Sequence, residues 1–244
     1  MPHRGAEAQA ALRTGGVHVW YVDLAVAGPL GAHTATLSDD ERARAARFVF
    51  ERDARRFVVA RSALRTILAG YLGLEPGRLT FSYGAHGKPA LDGDPTGLTF
   101  NLSHSGEVAV VAAGWGRALG VDVEQWRPLP DLAALAARSF APRERAALDA
   151  LPERERPPAF FRCWTRKEAF IKATGEGLAH ALEAFVVTLT ADEPARFLDI
   201  DGDPAALARW TLHDLQPPGG YAGALVTEGP VRTVQARPWP TAAL

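Results

Sequence analysis

Two short segments of this chain carry side chains whose types and spacing could do chemistry together. In Gly120-Val121-Asp122-Val123-Glu124-Gln125 the pattern reads as a strand. Strand residues alternate faces, so Asp122 and Glu124 project from one side, about 7 Å apart at their α-carbons. Alone, such a pair is an ordinary solvated edge. The second segment, Trp164 to Lys172, reads as a helix on which Trp164, Glu168 and Lys172 recur every four residues and share a stripe. On an open surface a Glu168–Lys172 pair contributes only a few tenths of a kcal/mol. A tryptophan on the same stripe implies partial burial, where an ionised carboxylate needs a further partner.

A third segment, Phe100-Asn101-Leu102-Ser103-His104-Ser105-Gly106, reads as a polar turn between two apolar strands. Its hydroxyls, histidine and exposed backbone N–H groups suit an anion. A hairpin turn with a satisfied histidine is the plainer reading of that segment alone. Three carboxylates brought together would suit Mg²⁺, a hard ion that takes few carboxylates alongside waters and phosphate oxygens. Without a cation they would repel and raise one another's proton affinity. With an anion-binding turn and a lysine that can give up its proton, the set is suited to phosphoryl transfer.

The elements that must position these residues follow from hydrophobic period and punctuation. His18–Leu24 reads as a strand, and Ser38-Asp39-Asp40-Glu41 has the capping-box spacing that opens a helix. Apolar positions continue to Leu72 as two helices. Short strands are expected at 80–83, 97–101 and 107–113. A second series starts with a strand at 119–124, short helices at 131–140 and 142–151, and a stronger helix at 159–173 stopped by Gly175 and Gly177. Strands at 185–189, 210–214, 221–227 and 231–236 follow. Each series has an opening strand, a long helix and later strands, so the fold class is α+β with two similar halves, residues 1–117 and 118–244. The first 16 or so residues are expected to be a disordered extension.

Composition narrows the function classes. The 244 residues are 47% hydrophobic and 23% charged, with a formal net charge of −1, which provides no global basic field for nucleic acid. The N-terminal stretch lacks a long apolar run, so neither a membrane anchor nor a signal peptide is expected, and the cytoplasm is the default location. The single cysteine, Cys163, lies among aromatics and is expected to be a buried, inert thiol. Of 27 basic residues only three are lysines, Lys88, Lys167 and Lys172, and all three fall in or beside motif segments.

Four motifs occur in order: Gly87-Lys88-Pro89, FNLSHSG at 100–106, GVDVEQ at 120–125 and WTRKEAFIKATGEGL at 164–178. With them the chain resembles the 4′-phosphopantetheinyl transferases of the large, surfactin-synthetase-activating type, over roughly Ser38 to Leu178. The resemblance implies transfer of the 4′-phosphopantetheine arm of coenzyme A to a serine of an apo acyl, peptidyl or aryl carrier protein, with release of 3′,5′-ADP. It implies Mg²⁺, or Mn²⁺ in its place, held by Asp122, Glu124 and Glu168, with Glu168 taking the serine proton and Lys172 serving the diphosphate. Ser103 and His104 match phosphate contacts, and Lys88 and Pro89 match the segment beside adenine and ribose. Arg44 matches a 3′-phosphate contact, Glu41 stands where a lysine is usual, and Arg47 or Arg56 would compensate. Lys167 is placed with the coenzyme A contacts.

The resemblance further implies a pseudo-two-fold α/β arrangement with the active site at the interface of the halves; from that self-contained two-half plan a monomer is expected. The carrier is expected to dock near Pro128–Leu151. A Mg²⁺-dependent coenzyme A diphosphate hydrolase and a non-catalytic carrier-binding protein are the rival readings.

Overall fold

The computed structural model describes residues 10–94, 96–177 and 180–240. They form two compact units. The first takes the chain up to Gly84, then Pro89–Gly116 and the residues from Arg232 onward; the second takes Ala85–Lys88 and Arg117–Val231.

In the first unit a sheet is ordered β11-β1-β5-β4, with β1 Val17–Asp23, β4 Leu98–Ser105, β5 Val108–Trp115 and β11 Val234–Pro238. Short helices α1 (Gly31–Ala35) and α2 (Asp39–Ala45) lead to the long α3 (Glu51–Leu72). The expected Ser38–Glu41 capping box opens α2, with the Ser38 N–H donating to Glu41 Oε2 at 3.0 Å. One side of α3 buries Val59, Ala63, Leu64 and Leu68 in a common core with Phe100, Val111 and Ala113 of the sheet. The hairpin of β2 (Phe81–Tyr83) and β3 (Pro89–Leu91) completes the strands of this unit.

The second unit repeats that connectivity. Its sheet is ordered β6-β10-β9, with β6 Leu119–Gln125, β9 Trp210–Leu215 and β10 Tyr221–Glu228. After β6 come α4 (Leu132–Ser139), α5 (Pro142–Asp149) and the long α6 (Arg156–Thr174), then β7 (Phe185–Val187), β8 (Phe197–Ile200) and α7 (Pro204–Arg209). In both units the opening strand pairs antiparallel with the last strand of its series, which pairs in turn with the one before it. Both long helices end on a left-handed glycine, Gly73 at φ 68° and Gly175 at φ 76°, the conformation that closes a helix without a Cβ penalty.

Two expectations change. The tail belongs with the first unit, because β11 pairs parallel with β1 from Val17↔Val234 onward. Residues 10–13 are helical and Leu12 is fully buried, so the N-terminal stretch is not a free extension as far as residue 16. An apolar side chain had a core to join. Residues 1–9, like Leu178 of the last motif, lie outside the described residues. In addition, β8 and α7 are elements that the sequence does not announce, since a four-residue strand and a six-residue helix are too short for periodicity to register.

Candidate active site

The site is built where β6 meets α6. Glycine in a strand interior marks a close backbone approach, and Gly120 has that function here. A Cβ on it would lie 2.2 Å from the Ala169 carbonyl oxygen and 2.3 Å from the Ala173 nitrogen, a separation no side chain can adopt. Gly120, Asp122 and Glu124 stand at alternate positions of one strand and so share the face that meets α6. Val121 and Val123 turn the other way and are buried. In the register, Asp122 pairs with Ala224 and Glu124 with Ala222, small neighbours that leave room beside the carboxylates.

Helix α6 starts with Pro157 in its first turn, where the missing N–H costs nothing. Its buried side carries Phe160, Phe161, Cys163, Phe170 and Ile171. Trp164, Glu168 and Lys172 are half-buried, the stripe expected from their spacing. Lys172 Nζ donates to Asp122 Oδ1 at 2.6 Å. Burial pushes the Glu168 carboxyl up from its ordinary value; Asp122 and, less strongly, Glu124 push it further, while Lys172 opposes them. Asp122, Glu124 and Lys172 therefore all act on Glu168. Arg127 Nη1 lies 3.3 Å from Glu124 Oε2 at the exposed end, a contact that no motif announced.

As a metal site the donor set fits Mg²⁺ in chemistry: hard oxygens, more carboxylates than cations, and a glutamate whose ionisation its neighbours oppose. In the geometry described, Lys172 holds Asp122, and no group of three or more His, Cys, Asp and Glu among the described residues is arranged to hold a metal ion.

The other expected residues divide. Lys167 is not a coenzyme A contact by its side chain: it is 1% exposed, and its ammonium donates to the Leu182 and Phe185 carbonyls at 2.7 and 2.6 Å and pairs with Glu144 at 2.8 Å. Lys88 is also committed, its Nζ donating to the carbonyls of Leu119, Lys172 and Ala173. Ser103 and His104 lie on β4, not in a turn, with partners Val110 and Ala109. As consecutive strand residues they point to opposite faces, Ser103 buried and His104 exposed.

Pro89 opens β3 opposite Tyr83. Arg44 is exposed, its guanidinium 5.1 Å from the Phe57 ring centre. Arg56 is held by Glu107, with Asp53 at 3.8 Å. Glu41 is buried and bonded to both Arg61 and Arg65, a structural pairing that explains an acid at that place. Cys163 is the buried thiol expected, pushed well up by burial and then by Glu144.

Two family profiles match the chain in tandem: "4′-phosphopantetheinyl transferase, N-terminal" over residues 29–116 and the "4′-phosphopantetheinyl transferase superfamily" over residues 118–226. The 4′-phosphopantetheinyl transferase HetI of Nostoc sp. is 45% identical over 217 residues, covering 87% of this chain and 88% of that one. The chain belongs to the 4′-phosphopantetheinyl transferases. The family's putative Synechocystis member slr0495 is 39% identical over 63% of each chain. The transferase Sfp of Bacillus subtilis is 31% identical over 64% of this chain and 68% of its own. The seam between the two matched segments, after residue 116, coincides with the division between compact units at Gly116 and Arg117. Among the described residues no helix is long and apolar enough to cross a membrane.

Proposed function

We propose that this transferase moves the 4′-phosphopantetheine arm of coenzyme A to a serine hydroxyl of an apo acyl, peptidyl or aryl carrier protein, with Asp122, Glu124 and Glu168 as the reaction centre. The observation that carries this reading is the state of Glu168, a half-buried carboxyl pushed towards its protonated form by burial and by Asp122 and Glu124. A carboxylate with raised proton affinity is suited to take a hydroxyl proton near neutral pH. The serine oxygen would then form its bond to the pantetheine-side phosphorus as the bond from that phosphorus to the bridging oxygen breaks and 3′,5′-ADP leaves.

Lys172, drawn from Asp122 towards a bound diphosphate, would neutralise or protonate the departing oxygen. Asp122, Glu124 and Glu168 would hold Mg²⁺, which supplies charge neutralisation at the diphosphate when bound. Arg44 and Arg56 are proposed for the 3′-phosphate and His104 for the phosphates. Ser103 and Pro89 contribute through their strand backbones. The carrier is proposed to dock on α4 and α5, where Arg138 and Arg143 are exposed.

The test is mass spectrometry of apo carrier proteins incubated with coenzyme A and the enzyme, with Mg²⁺ and with EDTA. A gain of one phosphopantetheine arm that needs Mg²⁺ is expected. No gain on any carrier type would sink the reading, and release of 3′,5′-ADP from coenzyme A alone would replace transfer with hydrolysis.

A further inference from the structure

Lys88 lies far in sequence from β6 and α6, yet its side chain ends on both. Its Nζ donates to Leu119 O at 3.1 Å, to Ala173 O at 3.2 Å and to Lys172 O. An ammonium has three donors, and all three are used. Leu119 is the first residue of β6. The carbonyls of Lys172 and Ala173 belong to the last turn of α6, where backbone acceptors have no intrahelical partner and the helix dipole collects negative charge. The lysine stem lies along the helix cap, with Cδ 3.8 Å from the place a Cβ on Gly175 would take.

The consequence is geometric. At Gly120, one residue after Leu119, strand and helix backbones touch with no side chain between them. Lys88 bridges the same strand end to the same helix turn. Lys172 is thereby held twice, its carbonyl by Lys88 and its ammonium by Asp122. One turn earlier on the same stripe stands Glu168. A rotation or slide of the C-terminal two turns of α6 as one body would carry Glu168 and Lys172 away from Asp122 and Glu124 together.

We propose that Lys88 is a positioning residue for the transfer reaction: it clamps the last turn of α6 to the start of β6 and so sets Glu168 and Lys172 against Asp122, instead of touching coenzyme A. The proposal rests on the transferase reading above. A backbone-directed clamp also accounts for the retention of lysine in an arginine-rich chain, because a compact ammonium reaches three converging carbonyls that a planar fork does not match.

The experiment compares wild type, Lys88→Met and Lys88→Arg in steady-state transfer and in hydrogen exchange of the amides at 169–174. Misplacement of reacting groups by about 1 Å costs on the order of 10²-fold in rate. For Lys88→Met, kcat is expected to fall about 10- to 100-fold per folded molecule, with KM for coenzyme A and for the carrier unchanged and exchange at 169–174 accelerated. Lys88→Arg should recover part of kcat by donating to some of the same carbonyls. Should Lys88→Met not fold, Lys88→Gln, which keeps two N–H donors, replaces it with the same expectations. A raised KM for coenzyme A with unchanged kcat would overturn the proposal, as would unchanged kcat and exchange. A wild-type enzyme that transfers nothing would defeat the transferase reading instead, and the exchange of 169–174 would still decide the clamp.

Discussion

Two buried charge clusters, one in each unit, show opposite designs. In the first unit Glu41 faces Arg61 and Arg65, and Arg65 also donates to the carbonyls of Pro76 and Leu79 at 2.9 and 3.0 Å. Burial opposes ionisation of Glu41, but the hydrogen bonds from Arg65 and Arg61 outweigh it and hold the carboxyl below its ordinary value. In the second unit Asp122, Glu124 and Glu168 have Lys172 and, at the exposed end, Arg127 beside them, and Glu168 is held above its ordinary value. The first cluster has more cations than carboxylates and fixes α2 to α3. The second sets three carboxylates beside Lys172 and Arg127 and raises the proton affinity of Glu168, the kind of perturbation found at reactive sites.

The largest expected effect separates the two by activity. Glu168→Gln should lower the transfer rate by about 10²- to 10⁴-fold, the usual weight of a general base, while leaving the unit at least as stable, since it removes a repelled charge. Next comes stability. Glu41→Gln leaves two guanidinium groups short of their carboxylate and should cost about 3–5 kcal/mol in urea unfolding.

The pH dependence sharpens the contrast. Glu41 has a lowered carboxyl, so its stabilisation is complete above the ordinary value of 4.5 and is lost as pH falls through its folded value. Glu168 is raised from 4.5, so ionising it costs stability as pH climbs from there through its folded value. Urea midpoints between about pH 4 and 8 should show Glu41→Gln flattening the acid-side loss and Glu168→Gln flattening the loss towards neutrality. The smallest effect is that of added Mg²⁺. It should raise the melting temperature of the wild type by a few degrees, as a ligand of the folded state, and that of Asp122→Asn by less.

Much of this was legible in the sequence, for physical reasons particular to each residue. Strand alternation placed Asp122 and Glu124 on one face, and the period of four placed Trp164, Glu168 and Lys172 on one stripe. What periodicity does not contain is the pairing of those two faces, which depends on Gly120 as a missing side chain. It also says nothing of which lysines are consumed internally. Lys167 and Lys88 lie in motifs as Lys172 does, yet Lys88 spends its donors on backbone carbonyls and Lys167 on two carbonyls and Glu144. The place of the tail in the first unit is not legible, because a five-residue strand shows its own period but not its partner β1. Ser103 and His104 have the sequence pattern of a turn because polar residues on a strand resemble a loop until the register with Val110 and Ala109 is known.

The most direct test sets the two clusters against each other in one assay. The transfer rate from coenzyme A to an apo carrier, per folded molecule, is measured for Glu168→Gln and for Glu41→Gln beside the wild type. A loss of about 10²-fold or more in Glu168→Gln, with Glu41→Gln close to wild type, is the result predicted. Transfer by Glu168→Gln at the wild-type rate would contradict the placement of the reaction centre on β6 and α6.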